Sequence, residues 1–565
     1  MSIAGSANAA QTDGAQTPNW LTWMLVAGIL LSVAVQAWLA FVHRFNGDEF
    51  FFLLHVHNYL RGTLHEPLQT FQVHLFTGLA SLPTETEQLI AGRIVALAFE
   101  IWALASLYAL SRAWAGKAAA LFAVLCFATM LLTLQHGASF RADPLALAPT
   151  IAALSLLARS DLRSLSIAAM AFLAALAVLV TVKVIFFAPA FAAIAAWRLA
   201  VSTQRRQTVV ALGITASTTL LVAALLYFFH RSTLAAAAVS NSGKMLGNAG
   251  STMFLGGGFL PGRIELLFMA ITSPLQVLLL LVSIASLTLS LARSSPQDRW
   301  QGVAILGCVA PLCSLLFYRN SFVYFLPFIL APSFVVVAWF VDQRKWAPGI
   351  LAILTLGLLV TGAIPLPRVA ANDQTAQRAT IRAVHQAFPR PVPYIDRSGM
   401  IASFPKQGFF MSTWGMIGYQ QRAPEFEAIL RQRPVPLLIA NSPALEHALG
   451  LKGVLAPNLR LSAVDEQVLR ENYVPHWGLL WVAGKRIRLG SGKTPTTILI
   501  PGIYTVEGAS VRLDGHAFKP GDTIRLTRGT QQFSGTPGSQ LTLRWGNHLL
   551  RPAQNPPTME PVAGF

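Results

Sequence analysis

The chain has 565 residues, of which 54% are hydrophobic and only 12% are charged. A soluble protein of this length carries roughly twice that charged fraction, so the composition excludes an ordinary soluble enzyme. The formal net charge of +18 comes with no nucleic-acid-binding motif; in a membrane protein such an excess belongs to cytoplasmic loops and lipid headgroups.

Residues 1–19 are small and polar, without a basic leader, and read as a disordered lead-in rather than a cleaved signal. Eleven apolar runs follow, near 20–42, 88–111, 117–135, 143–158, 164–182, 184–200, 208–229, 264–292, 301–317, 321–341 and 347–366. Most approach the ~20 residues that cross a bilayer as helix. The loops after the second, fourth, sixth, eighth and tenth runs carry Arg112 and Lys117, Arg159 and Arg163, Arg198 with Arg205 and Arg206, Arg293 and Arg299, and Arg344 with Lys345. By the positive-inside rule these loops are cytoplasmic. The amino terminus is then inside, and the loops 43–87, 136–142, 230–263 and 318–320 face outward with the tail. Cys126, Cys308 and Cys313 all lie in apolar runs without zinc-ligand spacing and read as packing residues.

The tail is soluble in composition. Residues 367–483 alternate helix-like and strand-like segments, including a buried strand at 435–441 after a short helix at 425–431, which predicts an α/β domain. Residues 484–553 read as strands parted by Pro501-Gly502, Asp514-Gly515, Pro520-Gly521 and Pro537-Gly538, which predicts a β-sandwich. Residues 554–565 read as a disordered end. The expected fold is therefore a polytopic α-helical membrane domain over 20–366 with a two-part soluble tail.

The outer face carries the chemistry. Gly47-Asp48-Glu49 follows the first run and precedes Phe50-Phe51-Phe52-Leu53-Leu54. Carboxylates at a bilayer are costly to desolvate and mark functional sites. As helix, Asp48, Phe52, His55 and Tyr59 share one face; the competing role for Asp48 is an N-cap on an interfacial helix. His55 and His57 lack the spacing of a metal pair. Arg141-Ala142-Asp143-Pro144 opens the fourth run, with Asp143 as the predicted cap and Pro144 in the first turn. Arg141 offers a two-pronged phosphate contact or, alternatively, snorkels to headgroups. Lys183 sits in a nearly loopless apolar hairpin, and Arg319 and Tyr324 flank the start of the tenth run. The 230–263 loop holds His230, Arg231, Lys244 and Arg263 around Gly256-Gly257-Gly258, without a P-loop pattern. Topology brings Arg141, Lys183 and Arg319 to one membrane level, where cations stabilise negative charge developing on a leaving phosphate and a carboxylate accepts the nucleophile's proton.

In order and spacing these motifs resemble the GT-C fold glycosyltransferases that use polyprenyl-phosphate sugars, among them protein O-mannosyltransferases and lipid A aminoarabinose transferases. The resemblance covers about 20–366 and rests on Gly47-Asp48-Glu49, His65-Glu66-Pro67-Leu68, Arg141 to Pro144, Lys183, and Arg319 through Tyr324 to Pro327. It implies Asp48 as catalytic base with Glu49 in support, and direct transfer with inversion. It implies donor contacts from Arg141, Asp143, Lys183, Arg319, Tyr324, His55 and Glu66. It also implies a bacterial inner-membrane enzyme with a periplasmic tail, a polyprenyl-phosphate-linked donor and an acceptor that is glycan, lipid or protein. Some relatives in the wider fold use a divalent metal and others do not; with only Asp48 and Glu49 as obvious ligands, no cofactor or essential metal is expected here. One departure is visible: aminoarabinose transferases carry Glu-Lys-Pro where this chain has His65-Glu66-Pro67, so phosphate contact falls to Arg141, Lys183 or Arg319. Two other readings stand beside this one, a flippase for lipid-linked sugars and a non-catalytic polysaccharide assembly protein.

Overall fold

A computed structural model describes residues 18–235 and 263–557. Most of the disordered lead-in and tail end predicted from sequence, and the part of the 230–263 loop that holds Lys244 and the glycine run, lie outside the described residues. The chain forms two compact units. The membrane unit comprises Met1–Phe41, Leu64–Gln72 and Arg93–Ala371; the tail unit comprises Val42–Thr63, Val73–Gly92 and Asn372–Phe565.

Among the described residues, nine helices are long and apolar enough to cross a membrane, and Lys117–Ala128 and Ser164–Val180 are shorter apolar helices. The chain is a multi-pass membrane protein. Each of the eleven expected runs is occupied by helix, and two are broken. The run at 264–292 divides into Arg263–Thr272 and Pro274–Leu291, because proline disfavours helical backbone in the residue before it. The run at 117–135 divides after Ala128 and resumes as Leu131–His136. The two breaks satisfy one another. Leu131 N donates to Ser273 Oγ at 3.1 Å, and Gln276 Nε2 donates to Thr129 Oγ1 at 3.2 Å. Interrupted backbone at membrane depth persists only with such partners. Ala142–Arg159 and Phe325–Arg344 are the most enclosed spans, whereas Arg205–Ser232 turns Leu220, Leu225 and Phe228 outward.

In the tail unit the strands are β1 (Tyr394–Ile395), β2 (Lys406–Gln407), β3 (Leu437–Ile439), β4 (Tyr473–Trp477), β5 (Leu480–Arg488), β6 (Thr494–Ile498), β7 (Gly502–Gly508), β8 (Val511–Leu513), β9 (His516–Phe518), β10 (Thr523–Leu526), β11 (Gly529–Gly535) and β12 (Gln540–Trp545). One sheet runs β10-β7-β12-β5-β3-β1-β2, with β4 also on β5, and a second runs β6-β11-β8-β9. The expected boundary between residues 483 and 484 falls inside β5. Leu480 to Ala483 pair with β3 and β4, while Gly484 to Arg488 pair with β12. The α/β and β-rich regions therefore share a strand. Beyond it the two sheets enclose Ile487, Val506, Val511, Phe533, Leu541 and Leu543 as a sandwich core. Asp514 and Gly515 both take positive φ between β8 and β9, the backbone of a two-residue hairpin turn.

Two pieces of the first long loop fold onto the tail. Gln377 clamps Phe45, accepting from its N at 2.7 Å and donating to its O at 2.8 Å. Phe51 stacks on Phe410 with centroids 4.4 Å apart. Gly399, at φ +88°, packs so closely under Leu54 that a Cβ would fall 2.7 Å from Leu54 Cδ2. Further along, the buried Glu85 carboxylate accepts from Ser403 N at 3.0 Å and Ser403 Oγ at 2.6 Å, and pairs with His385 Nε2 at 2.8 Å.

That last pair makes stability depend on pH. Burial pushes the His385 imidazole down, but the hydrogen bond and charge of Glu85 outweigh it and hold the group above its ordinary value. A raised histidine stabilises the fold fully below its unfolded value of about 6.5 and loses that contribution as pH rises through the folded value. Melting temperature is expected to fall between neutral and mildly alkaline pH, with the slope flattened in His385→Gln. An unchanged slope in that variant removes the pair as the cause.

Candidate active site

In the membrane unit, four residues from three sequence-distant segments meet. The helix Ala142–Arg159 begins with Arg141 as its N-cap residue, so Asp143 occupies the second helical position and is not the cap expected from sequence. Its carboxylate turns instead to two cations. Lys183 Nζ lies 2.7 Å from Asp143 Oδ1, and Arg141 Nη2 lies 3.7 Å from Asp143 Oδ2. All three side chains are about nine-tenths buried or more. The Arg141 guanidinium lies over the Tyr324 ring, 3.2 Å from its centroid, and Lys183 Nζ is 5.7 Å from the same ring. Snorkelling to headgroups is thus not how Arg141 sits. Two cations thus meet one carboxylate in a buried site, and such groups are the ones that hold phosphate and carboxylate anions.

Local structure explains how Lys183 arrives there. The helix Ser164–Val180 stops at Thr181, where the backbone is extended, and Thr181 Oγ1 caps the 3-10 turn Val182–Phe187 by accepting from Lys183 N at 3.4 Å. That turn swings the ammonium inward. Lys183 is also the charged residue lining a groove of about 840 Å³. The helices Ser164–Val180, Ala188–Val201 and Arg205–Ser232 supply most of its wall through Met170, Val178, Phe191 and Leu220, with Tyr318 beside them. Burial pushes the Tyr318 phenol up, against a smaller opposing pull from the Lys183 charge, so Tyr318 presents a neutral hydroxyl. Sequence reasoning did not single out Tyr318 or Phe325, whose ring lies 5.4 Å from Lys183 Nζ. Both belong to the aromatic run around Arg319, which was the available signal. Arg319 is half-buried in the irregular segment before Tyr324.

Asp48 and Glu49 lie in the tail unit, on the helix Gly47–Leu60. The N-cap is Asn46, not Asp48. Asn46 Oδ1 accepts from Asp48 N at 2.8 Å, and Glu49 Oε2 accepts from Asn46 N at 2.7 Å, closing a capping box. Glu49 is buried while Asp48 is half-buried. The two adjacent carboxylates therefore differ in kind: one secures the start of the helix, and the other is carried on its first turn. His55 is buried on the same helix, its ring 6.3 Å from that of Phe52, and Tyr59 meets His74 edge-on at 5.0 Å. Glu66 is exposed on a loop of the membrane unit, where its carbonyl accepts from Thr70 Oγ1 at 2.5 Å. No helix begins at Pro67. Gln69 takes a left-handed φ of 61°, and helix resumes only as Val73–Phe76, followed by the 3-10 turn Thr77–Ser81.

No protein-family model and no curated protein sequence matches the chain. Solved structures do resemble it. The crystal structure of ArnT from Cupriavidus metallidurans bound to undecaprenyl phosphate superposes with a TM-score of 0.54 at 12% identity, over 78% of this chain and 97% of that one. The apo oligosaccharyltransferase of Archaeoglobus fulgidus gives 0.53 at 11%, over 92% and 94%. The archaeal oligosaccharyltransferase AglB from the same organism, in complex with an inhibitory peptide and a dolichol-phosphate, gives 0.52 at 11%, over 94% and 96%. At such identities the likeness establishes fold, and the chain has the general GT-C fold.

Proposed function

We propose that the protein is a membrane glycosyltransferase that moves a sugar from a polyprenyl-phosphate donor to an acceptor on the outer, periplasmic face of a bacterial inner membrane. The observation that carries this reading is the double place of Lys183. One ammonium both lines a long apolar groove and joins the buried Arg141–Asp143 cluster. A polyprenyl-phosphate sugar has the complementary form, an apolar chain ending in an anionic phosphodiester. The ligands of the similar structures, undecaprenyl phosphate and a dolichol-phosphate, are of that class.

In the proposed reaction an acceptor hydroxyl or amine attacks the anomeric carbon from the face opposite the phosphate. The new glycosidic bond forms as the carbon–phosphate oxygen bond breaks, which inverts the centre. Asp48 takes the proton of the nucleophile. Lys183 and Arg141 stabilise the charge gathering on the departing polyprenyl phosphate, with Arg319 in support and Tyr324 holding Arg141 by stacking. Glu49 acts by fixing the helix start that carries Asp48. The amino terminus is cytoplasmic and the tail periplasmic in this reading.

The test is donor consumption by the purified, reconstituted protein supplied with mixed bacterial polyprenyl-phosphate sugars and envelope acceptors. Release of free polyprenyl phosphate together with a glycosylated product is expected. Movement of the intact donor across the proteoliposome membrane without any product would replace the enzyme reading with a transporter.

A further inference from the structure

A second polar site lies within the membrane unit, away from the cation cluster's own residues. Gln36 comes from the helix Asn19–Val42, Glu100 from Glu85–Ser111 and Thr133 from Leu131–His136. Each is at most 1% exposed. Among the described residues, Gln36 Nε2, Gln36 Oε1, Glu100 Oε1 and Thr133 Oγ1 have no hydrogen-bond partner. The Gln36 amide and the Glu100 carboxyl converge on Gly137. A Cβ there would lie 2.7 Å from Gln36 Oε1, 2.7 Å from the Thr133 carbonyl oxygen and 3.1 Å from Glu100 Cδ. Glycine is required at 137 because the amide and the carboxyl occupy that space.

We propose that Glu100 is held here as a neutral, protonated acid, joined through buried water to Gln36 and Thr133, and that this site fixes the turn leading to Arg141. An ionised carboxylate in an apolar interior, without a counter-charge, costs so much that the group takes up a proton instead. Each polar atom left unsatisfied in the interior is destabilising. Water settles in buried cavities that offer it two to four polar partners, and the three orphan atoms of the Gln36 amide and the Glu100 carboxyl beside Gly137 meet that condition. Two cationic or titratable groups on these elements have partners of their own. Arg93, on the helix of Glu100, donates to Ala40 O at 3.2 Å, and His136 lies edge-on to Tyr324 at 6.5 Å. From Gly137 the backbone runs through a tight turn in which Gly137 N bonds Thr133 O, Ser139 N bonds His136 O and Arg141 N bonds Ser139 O. Glu100 is thus a positioning residue for Arg141; this consequence rests on the proposed function, whereas the protonation does not.

Infrared spectra of the reconstituted full-length protein, compared with Glu100→Gln, test the protonation. A carboxylic acid carbonyl band present in the wild type and lost in the variant is expected. Glu100→Gln mimics a protonated acid, so its melting temperature and donor KM are expected to stay within about twofold in affinity terms, while Glu100→Leu raises donor KM about tenfold, or 1.4 kcal/mol. Absence of the band, with a sodium-dependent melting temperature that Glu100→Gln abolishes, would overturn the proposal in favour of an ionised carboxylate holding a monovalent cation. Equal donor KM in all three proteins would overturn the positioning role. If no donor turns over at all, the functional reading fails, and the infrared band still decides the state of Glu100.

Discussion

Replacing Asp48 by Asn is expected to lower sugar transfer by about 10²–10⁴-fold, the span that general-base groups contribute, while the protein folds and inserts normally. The expectation of intact folding comes from the geometry at the helix start. Asp48 does not cap the helix; Asn46 does, and Glu49 closes the box. An amide at position 48 keeps the backbone bond from Asp48 N to Asn46 Oδ1. It forfeits the favourable interaction of a carboxylate with the helix dipole, about 0.3–1 kcal/mol. Asn46→Ala is the contrasting change. It removes the cap, costs about 0.5–2 kcal/mol of stability and disturbs the helix that carries Asp48. Transfer rates measured beside melting curves separate the two effects. Wild-type turnover in Asp48→Asn would end the assignment of Asp48 as base, whatever the identity of donor and acceptor.

The membrane spans were legible because length and apolarity are local properties, and every one of the eleven runs holds helix. The cluster was legible for a different reason. A buried bilayer-level Lys or Arg is costly alone, so the sequence grouped Arg141 and Lys183 with Arg319, and the structure joins the first two through Asp143. The way they pair was not legible. Asp143 before Pro144 carries the local signature of a cap, yet its carboxylate is engaged by a lysine forty residues later, and no local pattern encodes that. At the first loop the signature Asn-x-x-Glu from Asn46 to Glu49 was present in the sequence and identifies the true cap. The adjacent acid pair drew attention away from it. The tail shows the same limit. Short strands and Pro-Gly turns were readable, but the continuation of β5 from one region into the next was not, nor was the packing of Phe51 and Leu54 onto residues 399–410. These are pairings between segments distant in sequence, set by complementary surfaces rather than by periodicity.

The second large effect is expected at Lys183. In Lys183→Met the apolar stem is retained, so the groove keeps its wall, but the cluster loses one positive charge. A hydrogen bond to a charged group is worth about 1.5–3 kcal/mol, which predicts donor binding weakened by roughly 10–150-fold. If the ammonium holds the ground-state phosphate, KM rises and kcat changes little; if it acts only on the departing charge, kcat falls with kcat/KM. Asp143 distinguishes a direct role from an indirect one. Its carboxylate lies 2.7 Å from Lys183 and 3.7 Å from Arg141, so Asp143→Asn releases both cations and alters donor binding in the wild-type background. In the Lys183→Met background the same change has less to release. The double-mutant cycle should then show a coupling of about 0.5–3 kcal/mol, as contacting residues do. Arg141→Lys supplies the last arm. It preserves the charge but not the planar stack on Tyr324, and a point charge does not reproduce a stacked, two-pronged contact. Donor affinity is expected to fall there as well. If Lys183→Met and Arg141→Lys both bind donor as the wild type does, the cluster is a structural ion network, and the phosphate is held elsewhere.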